Sequence, residues 1–134
     1  MSNPLSANTQ AILLLTAPLI AGKHVPAADL LTMGEYKKLA RSLREKQRQP
    51  ADLLSQDSDK LIDGNLQFIG GGRLRRLLER GFLLSQAVER WQARAIWVVS
   101  RADDDYPKRL KVRLKEDAPP ILYGCGDVTI LNTG

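Results

Sequence analysis

Cysteine and histidine are almost missing from this 134-residue chain, which has one of each, Cys125 and His24. A single cysteine excludes an intrachain disulfide, and one cysteine with one histidine falls short of a dedicated zinc site. Cys125 lies between two glycines and reads as a small residue in a tight turn, since no adjacent histidine or basic cluster would make it a thiolate. His24, in Gly22-Lys23-His24-Val25-Pro26, reads as a surface-loop histidine. No Ser/His/Asp or Cys/His arrangement can be assembled, so the expectation is a binding module and not an enzyme, with no cofactor.

Long apolar runs are lacking too. The best of them, Ala11 to Leu15, is broken by Thr16 and Pro18 and is well short of the roughly 20 residues that span a bilayer. No basic stretch with a small-residue cleavage site opens the chain, so the expected address is the cytoplasm, away from membranes. Aromatic residues make up only 5% of the sequence. Base stacking needs exposed rings, whereas Trp91 and Trp97 sit on apolar faces and read as core.

What the chain does have is positive charge, unevenly placed. Residues 1–72 hold eight basic and seven acidic side chains, residues 73–115 twelve and five, and residues 116–134 none and three. The net values are +1, +7 and −3. A field concentrated in the middle segment is compatible with a phosphate-bearing partner, because clustered Lys and Arg release counterions from a polyanion. It is equally compatible with solvated helix faces.

Along the chain, Ser6 is placed to cap a helix carrying Ala11, Ile12, Leu14 and Leu15, which Pro18 ends or kinks. A short helical turn is possible over Ala27 to Leu31. Thr32-Met33-Gly34-Glu35 has capping-box spacing, so a helix starts there with Tyr36, Leu39, Ala40 and Leu43 as its inner stripe. Lys37, Lys38, Arg41, Arg44, Glu45, Lys46 and Arg48 mostly occupy its other sides, the pattern of a solvated face. After Pro50, Leu53 and Leu54 should pack back on that helix, and the acidic stretch Asp57 to Asp63 reads as a connection.

Gly70-Gly71-Gly72 then precedes a helix predicted over Arg73 to Arg80, with Leu74, Leu77 and Leu78 inside and Gly81 as its terminator. A further helix, roughly Leu83 to Ala93, carries Leu84, Ala87, Val88 and Trp91 on one face. The two are expected to form a tight antiparallel pair joined at Gly81-Phe82. Beyond it the period changes. The runs Ile96 to Val99 and Ile121 to Tyr123 read as buried strands, the first covered on both sides as in a parallel or mixed sheet. Between them, Lys108 to Lys115 fits either an alternating strand or a helix, and Pro107 at a first turn favours a short helix.

Three groups could carry function. The glycine turn before a helix can present free amides to a phosphate through Gly70 and Gly72, or it can be a plain turn; no Walker A spacing follows it. Arg73, Arg76 and Arg80 recur at i, i+3 and i+7 and should project together opposite the leucines. Lys108, Arg109, Lys111 and Arg113 form a second basic group able to contact phosphates without reading sequence. Asp103, Asp104 and Asp105 are adjacent carboxylates that diverge in direction and lack further ligand spacing, so capping the helix near Pro107 accounts for them better than a metal does.

The pattern Asp-x-x-Tyr-Pro-x-x-Leu from Asp103 to Leu110, followed by Pro119-Pro120-Ile121-Leu122-Tyr123-Gly124 and Gly126-Asp127, resembles the DNA processing protein A family, DprA/Smf. The likeness is strongest over Arg73 to Leu131 and weaker over Leu30 to Leu54. It implies a mainly α fold, with a multi-helix N-terminal domain of sterile-alpha-motif or helix-hairpin-helix type over 1–93. The first two strands of a Rossmann-like α/β domain would follow over 94–134. The glycine turn would then be a degenerate helix-hairpin-helix hairpin, and Tyr106-Pro107 a structural turn. The family binds single-stranded DNA, protects it from nucleases and helps load a RecA-type recombinase during natural transformation.

The Gly-Ser-Arg motif and later basic residues that hold DNA phosphates in that family would follow Leu131 and are not in this sequence. The resemblance therefore implies an N-terminal portion, truncated before Gly-Ser-Arg, whose contacts to DNA lie mainly in the missing domain. Its two strands would pack on the helices present or against a second copy, as a homodimer. A protein-interaction domain that orients the full-length protein without touching DNA is the alternative expectation.

Overall fold

Five consecutive buried residues, Ala11 to Leu15, put the first helix at the centre of the core. The structure is a computed structural model that describes residues 5–17, 19, 30–55, 60–62 and 69–126. Helix α1 (Ala7–Thr16) begins as expected, with the Ser6 hydroxyl accepting from the Thr9 amide. Its first turn carries Asn8 and Gln10 at partly exposed positions, but from Ala11 to Leu15 it is apolar all round and is enclosed by its neighbours. Ile12 and Leu15 pack with Tyr36, Leu39, Leu43 and Leu74, while Leu13 and Leu14 pack with Leu84, Ala87 and Val98. Each buried leucine contributes about 2 kcal/mol, so this one helix ties both sides of the molecule together.

Helix α2 (Met33–Glu45) has the anticipated capping box. Glu35 N–H donates to the Thr32 hydroxyl at 3.1 Å and the Thr32 amide donates to the Glu35 carboxylate at 3.0 Å. Its predicted stripe is inside: Tyr36, Leu39 and Leu43 are buried and Ala40 packs against them. The 3₁₀ turn Pro50–Leu54 packs on α1, however, and not chiefly on α2. Only Leu53 is buried while Leu54 is exposed, because adjacent side chains on a 3₁₀ turn diverge by about 120°. Residues 60–62 form a helical turn whose Leu61 and Ile62 are buried, so the stretch read as a polar connection also supplies core. Pro18, His24, most of the 27–31 turn, Asp57 and Asp63 lie outside the described residues.

Helices α3 (Gly71–Leu78) and α4 (Gly81–Ala93) differ from expectation in how they meet. Gly81 is the first residue of α4, not a left-handed terminator of α3. The left-handed glycine is Gly70 (φ 98°), which caps the start of α3. Nor are α3 and α4 a tight antiparallel pair, since each packs on α1 and makes few contacts with the other. An apolar central helix offers both inner stripes a better partner than they offer each other. Leu74, Leu77, Leu84 and Ala87 are buried there, with Val88 and Trp91 half-buried.

Strands β1 (Ile96–Ser100) and β2 (Ile121–Cys125) pair antiparallel, with Val98 opposite Tyr123 and Val99 opposite Leu122. The expectation of a parallel or mixed sheet is thus corrected among the described residues, although apolar groups do cover β1 on both faces. Val98 joins the α1 and α4 cluster, and Val99 packs with Tyr106 and Ala118. Trp97 lies across Gly124, where an added Cβ would come within 2.2 Å of the indole, so the cross-strand position requires glycine. Trp91 meets Tyr123 edge-on at 5.6 Å.

The ambiguous basic segment is helical: α5 spans Lys108–Leu114, with Pro107 immediately before it. Tyr106 is buried and donates from its hydroxyl to the Pro119 carbonyl at 2.6 Å, which binds the loop before α5 to the segment after it. The result is a mostly helical protein with a small two-stranded antiparallel sheet. No helix among the described residues is long and apolar enough to cross a membrane.

A basic cleft as candidate nucleic-acid interface

Arg73 of α3, and Arg80 and Arg90 after it, turn inward. Arg73 grips the Glu35 carboxylate with both terminal nitrogens, at 2.6 and 3.0 Å, and donates to the Leu30 carbonyl at 2.6 Å. This guanidinium and the Thr32 amide hold the Glu35 carboxyl at a pKa of about 2. Arg80 donates to the Leu14 carbonyl in the last turn of α1, and burial lowers its own pKa. Arg90 donates to the Leu19 carbonyl at 2.7 Å. At Leu14 a guanidinium suits this task, because carbonyls in the last turn of a helix lack intrahelical donors and carry the negative end of the dipole.

The expected joint projection of Arg73, Arg76 and Arg80 therefore fails. The i, i+3, i+7 spacing does set one side of the helix, but part of that side faces the backbone leaving α1 and entering α2. Only Arg76 is exposed, next to Gly72.

The acidic triplet also has a different task. Asp103 accepts from Ser6 Oγ at 2.8 Å, Thr9 Oγ1 at 2.7 Å and the Ser100 amide at 2.8 Å. Thr9 and Ser100 are fully buried and share a further 2.8 Å hydroxyl contact. With the Thr9 proton directed at Asp103, Ser100 supplies the proton of that contact. Asp103 thus fastens the start of α1 to the end of β1, and α5 begins with no side-chain cap, contrary to expectation. No cluster of potential metal ligands occurs among the described residues.

Outward-facing charge gathers elsewhere, in a cleft between α2 and the segment from Arg101 to Pro120. Its inner lobe, of about 510 Å³, has Ile12, Met33, Tyr36, Ala40, Leu43 and Pro120 in its walls. Lys37, Arg44, Arg48, Arg101 and Lys111 stand around them. An outer lobe of about 820 Å³ shares four of these cations and adds Arg113 and Lys115. Seven basic side chains thus line the two lobes, against one described carboxylate, Asp117, which pairs with Lys37.

Arg101 is the centre of this arrangement. It follows β1 directly and is half-buried, and its guanidinium makes no hydrogen bond or ion pair among the described residues. Burial pushes the Tyr36 hydroxyl up to about 12, and the positive charge of Arg101 opposes that shift. The same two influences, in the same order, act on Tyr106, whose pKa is also raised. Arg101 therefore sits within electrostatic reach of both phenols. Lys111 stands 5.7 Å from the centre of the Tyr106 ring, a cation–π distance that holds the ammonium toward the cleft without neutralising it.

Of the residues singled out in the sequence, Lys111 and Arg113 line the cleft, while Gly70, Gly72, Arg73, Arg76, Arg80, Lys108 and Arg109 do not. Lys108 and Arg109 are exposed on α5. Lys37, Arg44 and Arg48, read as an ordinary solvated face, do line it, as do Arg101 and Lys115. Nothing local marks the α2 residues, because the cleft exists only once α2 packs beside the Arg101–Pro120 segment. Arg101 had one available signal, its place at the carboxyl end of an apolar strand. No protein-family model matches this chain, and no curated protein or solved structure is significantly similar to it.

Proposed function

We propose that this chain is an accessory nucleic-acid-binding module, the N-terminal part of a DprA-like protein that handles single-stranded DNA. The observation that carries the reading is the cleft, with seven basic side chains against one described carboxylate. Such a surface attracts phosphates without reading bases. The motif from Asp103 to Gly126 supports the family reading, together with the position of Tyr106 as an anchor between α5 and Pro119. On this reading the helices form a domain of sterile-alpha-motif or helix-hairpin-helix type. The strand pair opens a Rossmann-like domain completed by further chain, which supplies the principal DNA contacts and the surface for a RecA-type recombinase. The module binds and does not catalyse, and it acts in the cytoplasm.

The test is a titration of the chain with a fluorescent single-stranded oligonucleotide across salt concentrations. The expected result is weak binding at low salt whose logarithm falls steeply with the logarithm of salt concentration. Absence of binding at the lowest salt removes the reading. A second reading, a protein-interaction or dimerisation domain, is favoured by Phe82 and Val112, which are 75% and 74% exposed. A concentration-dependent dimer by sedimentation, with no oligonucleotide binding, would select it.

A further inference from the structure

The two lobes of the cleft differ in chemistry, and the difference bears on what the inner one accepts. Phosphate affinity alone calls for an open basic surface, which the outer lobe provides. The inner lobe instead has Ile12, Ala40 and Leu43 in its lining, together with the more exposed Met33 and the phenol of Tyr36. That hydroxyl makes no hydrogen bond among the described residues, although Tyr36 is buried. Beside it stands Arg101, a half-buried guanidinium likewise without hydrogen bond or ion pair. Neither group belongs to the buried unpartnered atoms, so both are open from the cleft, with hydrogen-bonding capacity that the described residues leave to a ligand. The volume of about 510 Å³ lies within the range of small-molecule sites.

From this juxtaposition we infer that the inner lobe is a binding site for a single nucleoside phosphate, with the base against the apolar lining and the phosphate between Arg101 and Lys111. The inference deepens the nucleic-acid reading and rests on it for the basic rim, but it makes a separate claim: the site recognises one nucleotide unit as a whole. The Met33 side chain is half-exposed and its thioether is suited to the face or edge of a flat ring. Arg101 offers the bidentate fork that a phosphate fits, and the Tyr36 hydroxyl can donate to a base or ribose oxygen.

Calorimetric titration of the full chain at low salt with deoxyadenosine 5′-monophosphate, inorganic phosphate and deoxyadenosine tests this. The nucleotide is expected to bind at least tenfold more tightly than either part. Ala40→Phe, which crowds the apolar lining, should lower nucleotide affinity at least tenfold while leaving phosphate affinity within twofold. Met33→Glu, at an exposed first-turn position that tolerates a carboxylate, should produce the same loss of nucleotide affinity, with circular dichroism confirming the fold. A nucleotide that binds no more tightly than phosphate, or that is unaffected by Met33→Glu, overturns the inference. If the oligonucleotide still binds with a steep salt dependence in that case, only the single-nucleotide site falls. If neither ligand binds, the nucleic-acid reading falls with it.

Discussion

Two sets of basic residues that look alike in the sequence do opposite things in the structure. Around α3 and α4, Arg73, Arg80 and Arg90 reach the carbonyls of Leu30, Leu14 and Leu19, and Arg73 also pairs with Glu35, so these guanidiniums are engaged within the protein. Around α5, Arg101 and Lys111 face a cleft, with Arg113 and Lys115 extending it outward. The first set joins helices; the second presents a field to solvent. Local charge density therefore overstates the surface available to a phosphate, and the partners of each guanidinium decide which residues count.

This contrast can be tested from both sides. The largest effect is expected for the combined Arg101→Ala, Lys111→Ala, Arg113→Ala variant. It should lose about a hundredfold in oligonucleotide affinity at low salt, its salt slope falling by about 2 to 3, with thermal stability nearly unchanged. A variant that keeps full affinity would break the assignment of the outward set. Arg80→Ala should do the reverse. Denaturant unfolding is expected to report a loss of about 2 kcal/mol, because the Leu14 carbonyl loses a charged donor, while oligonucleotide binding by the folded protein stays within twofold.

Glu35 provides a pH-dependent version of the inward set. Its carboxyl is held at about 2, below the usual 4.5, chiefly by the hydrogen bond from Arg73. Between these values the unfolded chain binds more protons, so stability rises with pH there. The contribution is complete above about pH 5 and is lost as the pH falls toward 2. Glu35→Gln should cost about 1 kcal/mol at neutral pH and flatten the stability profile between pH 5 and 2, as followed by circular dichroism. The smallest effect is expected at Arg76, which is exposed and outside the cleft. Arg76→Ala should change stability by less than about 0.5 kcal/mol and affinity by less than twofold.

Much of the local structure was legible because its causes are local. Ser6, Thr32 and Glu35 cap the helices their spacing announced, and Tyr36, Leu39 and Leu43 turn inward as their period requires. Errors arose where a partner distant in sequence decides the outcome. Gly81 had the context of a terminator but begins α4, and Asp103 serves Ser6 and Thr9, more than 90 residues earlier, and not the helix beside it. Of the candidate site, Lys111 and Arg113 were found and Arg101 was not, since its importance comes from standing near Tyr36 and Tyr106 together.

The sequence by itself determined that helices would dominate, where most of them begin, that two short apolar strands follow, and that positive charge would concentrate in residues 73–115. Capping, hydrophobic period and composition act over a few residues and need no knowledge of the rest of the chain. Only the tertiary structure decided that the apolar part of α1 would be enclosed, that the strands would pair antiparallel, and that Arg73, Arg80 and Arg90 would face inward. Those outcomes depend on which surfaces meet, and a guanidinium is drawn as readily to an unsatisfied carbonyl of its own chain as to the phosphate of another.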